Sequence, residues 1–161
     1  MLEFEPELVK PQYAEPKARY STASTYHATD KSGKVTPLQV AEALLPLISR
    51  PDGKYSDGWV DSHGKDHLVI EAARASTERY AAGKPLSVLD GVPIGVKDDT
   101  DAKGFHNHIG MAYHPSIDCF KEKKESSWPV KKLQDAGAVV VGKNCMHELG
   151  SGKSIKRYLP F

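Results

Sequence analysis

Cysteine is scarce in this 161-residue chain, which holds only Cys119 and Cys145. Two thiols do not make the disulfide framework of a small secreted fold; they fit a reducing compartment in which both stay free. Long apolar runs are missing as well. The longest lies in Ala136–Gly142, AGAVVVG, far short of the roughly 20 residues that span a bilayer. The N-terminus, MLEFEPELVK, carries glutamates where a signal peptide needs a basic start and a long apolar stretch. Secretion and membrane anchoring are not expected, and a cytoplasmic location is. Nor is there an excess of charge of one sign. With 22 Lys and Arg against 21 Asp and Glu, the formal net charge of +1 makes no global field for nucleic acid or an anionic membrane. No internal repeat or low-complexity tract is visible.

What remains is a polar chain, 39% apolar with a mean hydropathy of −0.49, long enough for one modest domain with a core. Residues 1–35 read as an irregular N-terminal arm. A helix then starts at Thr36, where Thr36, Pro37 and Gln39 form a capping signal. Leu38, Ala41, Leu45 and Ile48 share one face, and Pro46 is expected to kink or end the helix near Leu45. The turn-rich stretch 50–64 should bury Trp59 and Val60. A second helix is expected over about Asp66 to Ala82, with Leu68, Val69, Ala72, Ala73, Ser76 and Tyr80 inward and Gly83 as its stop. Further on, Ser127 is placed to cap a short helix with Val130, Leu133 and Ala136 inward and Gly137 ending it. Ala138–Val141 reads as a buried strand. Strand, helix and strand in this order predict a parallel crossover unit, hence an α/β fold.

The first strand lies in Leu86–Asp101, LSVLDGVPIGVKDDTD. Val92, Ile94 and Val96 alternate with Pro93, Gly95 and Lys97, which puts Lys97 at a strand end. A lysine there, close to a core, loses solvation; its pKa falls and a neutral amine becomes available as a base. The alternative is a snorkelling lysine, or one paired with Asp98, Asp99 or Asp101.

Other constellations carry less. Gly150–Ser154, GSGKS, looks like the end of a phosphate loop, but His147 stands where the leading glycine belongs and Pro160 leaves no room for the following helix. His106, His108 and His114 lack the paired spacing of a zinc site and read as loop histidines, so no metal is expected. Asp98, Asp99 and Asp101 suit turn-making better than Mg²⁺. Lys121, Lys123, Lys124, Lys131 and Lys132 are diluted by Glu122 and Glu125 and read as a solvated face. Cys145 with His147 next but one could be a reactive thiol, although sequence adjacency is not triad geometry.

Several of these segments together carry a family resemblance. Gly91-Val92-Pro93, Val96-Lys97-Asp98, Asp101 with Gly104, Ala136-Gly137-Ala138, Gly142-Lys143 and Glu148 keep the order and spacing of the front of an amidase signature protein. The stretch NHIGMAYHPSI resembles fungal members. The resemblance covers roughly 36–152 and leaves 153–161, KSIKRYLPF, as a divergent tail. It implies an N-terminal portion of the amidase signature fold, a mixed sheet flanked by helices. It implies hydrolysis of amide carbon–nitrogen bonds by a Ser–Ser–Lys triad, with Lys97 as the general base. No cofactor is implied, and the partner expected is a small-molecule amide. By the same resemblance both triad serines and the oxyanion hole belong to a Gly- and Ser-rich block beyond the end of this chain. The expectations are therefore a truncated hydrolase or a non-catalytic remnant derived from one, marginally stable and given to self-association through strands without their neighbours.

Overall fold

The computed structural model describes residues 21–49 and 51–151. The greater part of the expected N-terminal arm, residues 1–20, and the divergent tail 153–161 lie outside the described residues, as does the GKS end of the phosphate-loop likeness. Among the described residues four α-helices and two strands follow one another: α1 (Ala23–Lys31), α2 (Pro37–Ile48), α3 (Asp66–Ala81), β1 (Pro93–Lys97), α4 (Trp128–Asp135) and β2 (Val139–Asn144).

Within the stretch read as irregular, α1 forms, with the Thr22 hydroxyl accepting from the Thr25 amide. Its polar sequence has no apolar stripe to announce it. It is held to α3 by a 2.8 Å hydrogen bond between the His27 ring and the Tyr80 hydroxyl. The start of α2 is as the sequence predicts: Thr36 and Gln39 close a capping box and Pro37 fills the first turn. The helix does not end near Leu45. The helix runs through Pro46 to Ile48, and the Ser49 amide still reaches the Leu45 carbonyl at 2.9 Å. Pro46 is exposed and near the helix end, so the missing donor costs little, while Leu45 and Ile48 gain burial.

Buried Ala41, Leu45 and Ile48 of α2 join Val69 and Ala73 of α3, which in turn packs on β2. The expected inward face of α3 holds at Val69, Ala73 and Ser76, whereas Ala72 is exposed. The crossover exists: β1 and β2 are parallel, pairing Pro93 with Val139 and Lys97 with Asn144, with one irregularity after Ile94. Strand β2 is longer than its apolar run, continuing through Lys143 to Asn144. Its far edge takes Trp59 as an antiparallel bridge, and the Val60 amide donates to the Lys143 carbonyl at 2.8 Å.

Between the strands, α4 buries Val130 but leaves Leu133 exposed, because this short helix turns only one residue fully inward. Ser127 does begin α4, yet its hydroxyl makes no cap; its amide is anchored on the Asp101 carbonyl instead. Gly137, at φ +95, is required by a close approach: a Cβ there would stand 2.6 Å from an Asp90 carboxylate oxygen. Asp90 is fully buried and completely satisfied. Arg79 grips it with two nitrogens at 2.8 and 2.6 Å, Ser76 donates at 2.7 Å and the Leu86 amide at 2.8 Å. Burial pushes the Asp90 carboxyl up, but the hydrogen bonds from Arg79, Leu86 and Ser76 hold it below the usual range.

Candidate active site

In parallel sheets ligands gather beyond the carboxyl ends of the strands. Here that end is formed by Lys97 and Asn144, the turns after them, and the loop 104–117.

The expectation that Lys97 is withdrawn from solvent is corrected. Val96 is buried, and the strand alternation turns Gly95 and Lys97 to the open face of the sheet. The Lys97 side chain is 59% exposed and its Nζ donates to Asp99 at 2.8 Å. This is the ion-paired alternative that the sequence left open. Its partner Asp99 is held below the ordinary carboxylate range, chiefly by that hydrogen bond.

Asp98 points the other way and is fully buried. Its carboxylate accepts the backbone amides of His108 at 2.7 Å and Gly110 at 2.9 Å. Asp98 thus fixes the loop to the end of β1. Ile109, caught between the two gripped amides, has φ +53, a strained setting for a β-branched residue. Its carbonyl receives the amide of Leu149, also left-handed at φ +49. Backbone strain therefore concentrates where the segments after both strands meet.

The desolvated lysine of this region is Lys143. It is 3% exposed and pairs in register with Val96. Its Nζ donates to the Thr100 carbonyl at 2.5 Å and to the Asn107 side-chain oxygen. Asn107 passes the chain on, donating to Asp101 at 2.6 Å. Burial pulls the Lys143 amine down to about 8, against the opposing carboxylates of Asp98, Asp101 and Asp99. The Gly142-Lys143 pair was visible as a motif, but the strand appeared to end at Val141. Lys143 lies past the irregularity in the strand pairing, on a strand buried throughout 139–143, so alternation from the valines does not place it.

The histidines regroup. His106 and His108 meet not His114 but His63, whose ring nitrogen lies 3.0 Å from that of His108. Tyr113 packs against all three rings, with centroids 4.5–5.5 Å apart. His106 donates through Nδ1 to the Phe120 carbonyl at 2.8 Å, and His114 sits with the Ser116 hydroxyl. Burial lowers His63 and brings His108 down to about 4. His63 stands four residues before His67 in a separate stretch of the chain, so spacing within 106–114 does not bring it to notice. Among the described residues no group of three or more His, Cys, Asp or Glu side chains is arranged to hold a metal ion.

Of the other candidates, Cys145 is half-buried with its amide bonded to the Gly58 carbonyl. The Ser151 hydroxyl turns back to the Glu148 carbonyl at 3.3 Å. Asp101 starts the turn towards Gly104 and receives Asn107 and, at 3.5 Å, Lys123.

Residues 66–159 match the family model described as Amidase. The match runs past Gly152, where the recognisable motifs stop. The chain is 32% identical over 141 residues to a fatty acid amide hydrolase of Medicago truncatula, covering 83% of this chain and 22% of that protein. It is 34% identical over 127 residues to one component of the glutamyl-tRNA(Gln) amidotransferase of Salinispora arenicola, covering 76% and 23%. The native peptide amidase of Stenotrophomonas maltophilia superposes with a TM-score of 0.67 at 21% identity, covering 83% of this chain and 26% of that one. The chain thus spans roughly a quarter of the length of these relatives.

Proposed function

The chain belongs to the amidase family, and from that premise we propose that it supplies the base-bearing part of an amide carbon–nitrogen hydrolase, with Lys97 as the general base. The observation that carries this reading is position. Lys97 ends the parallel strand β1 inside the family-matched stretch, beside Asn144, at the strand end where α/β sites assemble.

In the proposed mechanism a serine hydroxyl attacks the amide carbonyl and a second serine relays its proton to the Lys97 amine. The lysine then returns a proton to the departing amine. No serine of this chain is assigned to either role. The exposed pair with Asp99 must open for Lys97 to act, and covering the open face of β1 would supply the desolvation a base needs. The substrate class is a small amide, as the names of the hydrolase relatives suggest. The free thiols of Cys119 and Cys145 support a reducing, cytoplasmic setting.

The test is a chimera in which residues 36–151 replace the matching part of the Medicago fatty acid amide hydrolase. Amide hydrolysis by this chimera should fall by roughly 10²–10⁴-fold on Lys97→Ala, the range expected on losing an acid–base group. Full activity in that variant sinks the assignment.

A further inference from the structure

Nothing in the proposed chemistry uses Lys143, although it is the most deeply buried lysine beside the site. Its contacts form a clamp. The turn after β1 is closed by the Thr100 amide donating to the Lys97 carbonyl at 3.0 Å. The carbonyl of the same Thr100 accepts from Lys143, so a single residue links the Lys97 backbone to the Lys143 ammonium. Through Asn107, the ammonium also reaches the loop whose next residues, His108 and Gly110, are held by Asp98.

We propose that Lys143 is a positioning residue: by joining the Thr100 carbonyl to Asn107 it fixes the Lys97 turn against the loop 107–110. The naming of Lys97 as the base rests on the proposed function; the clamp itself does not. An ammonium suits the place because the nearby carboxylates of Asp98, Asp101 and Asp99 favour its charge, while Lys123, on the segment before α4, opposes it. A neutral amine still has two N–H donors for Thr100 and Asn107, so loss of the proton weakens the clamp without removing it.

This makes the clamp readable without any assay of catalysis. In the full chain, the backbone amide signals of Thr100, His108 and Gly110 should shift together in a step centred at about pH 8. Lys143→Met should abolish the step and speed hydrogen exchange of the Thr100 amide by about 10-fold or more, with α3 amides such as Val69 unchanged. Lys143→Arg keeps a cation throughout and should stay folded with the step gone. If the step persists in either variant, another group titrates there and the proposal is overturned. Unchanged Thr100 exchange in a folded Lys143→Met protein overturns it too. Lys97→Ala should leave the step intact, so failure of the clamp and failure of the Lys97 assignment are seen in different experiments.

Discussion

Lys97 and Lys143 stand one register step apart on neighbouring parallel strands and turn to opposite faces of the sheet, one to solvent and one to the interior. The same division separates the adjacent carboxylates, Asp98 inward and Asp99 outward. It sets very different costs for similar substitutions.

Asp98→Ala removes a fully buried acceptor from two backbone amides. Each lost charge-assisted bond is worth about 1.5–3 kcal/mol, so a loss of at least ~3 kcal/mol is expected. Asp99→Ala breaks only the exposed pair with Lys97 and should change stability by under ~0.5 kcal/mol. Urea unfolding of both variants checks this, and equal effects would contradict the inward and outward assignment.

Arg79→Met should be more damaging than its partly exposed position suggests. It leaves the Asp90 carboxylate buried without its cation, at about 3–5 kcal/mol. Replacing both residues with apolar ones, Arg79→Met with Asp90→Leu, should recover part of the loss. A double variant no better than the single one would show that the Ser76 and Leu86 bonds to Asp90, not its charge, dominate.

Acid titration should expose two opposing slopes. His108 protonates near 6.5 when unfolded and near 4 when folded, so the unfolded chain binds more protons between those values and stability falls as pH drops through that window. Asp30 acts in reverse. Burial, then repulsion from Asp90, raises its carboxyl from 3.8 to about 6, so stability falls as pH rises through that window. Both Asp30 oxygens are buried without a hydrogen-bond partner. Asp30→Asn should therefore stabilise the protein at pH 7 by about 2–3 kcal/mol, with no gain at about pH 3. His108→Gln should flatten the acid limb by about 1–2 kcal/mol, allowing for its half-exposed ring. Melting temperature against pH for the three proteins reads both signs.

Gly137→Ala combines a left-handed φ with a Cβ 2.6 Å from Asp90. Gly33→Ala meets the same kind of backbone, φ +69, with nothing within 4 Å. The second should cost about 1 kcal/mol and the first clearly more. Comparable melting shifts would mean that Asp90 yields freely.

Much of this was legible in the sequence where local chemistry decides. The Thr36–Gln39 capping box, the apolar positions 41, 45 and 48, and the strand–helix–strand crossover all follow from short patterns. The amidase membership was legible from motif order. What was not legible depends on contacts distant in sequence. The solvation of Lys97 turns on which face of β1 is covered, and Lys143 is buried because β2 continues beyond its valines. His63 meets His108 across a span that no spacing rule reaches, and α1 is held through His27 and Tyr80, not through an apolar stripe.

The parallel pairing of Pro93 with Val139 spans the whole loop 98–127 and all of α4 before its first bond can form. The contact between α2 and α3 needs only the short connection between them. Chain-closure entropy therefore sets an order of assembly, with the helical pair early and the sheet late. Lys97 and Lys143 take their positions only when the strands meet, so substitutions around them should change unfolding rates much more than folding rates. The strand end that holds Lys97 and Lys143 is therefore expected to assemble last and to loosen first.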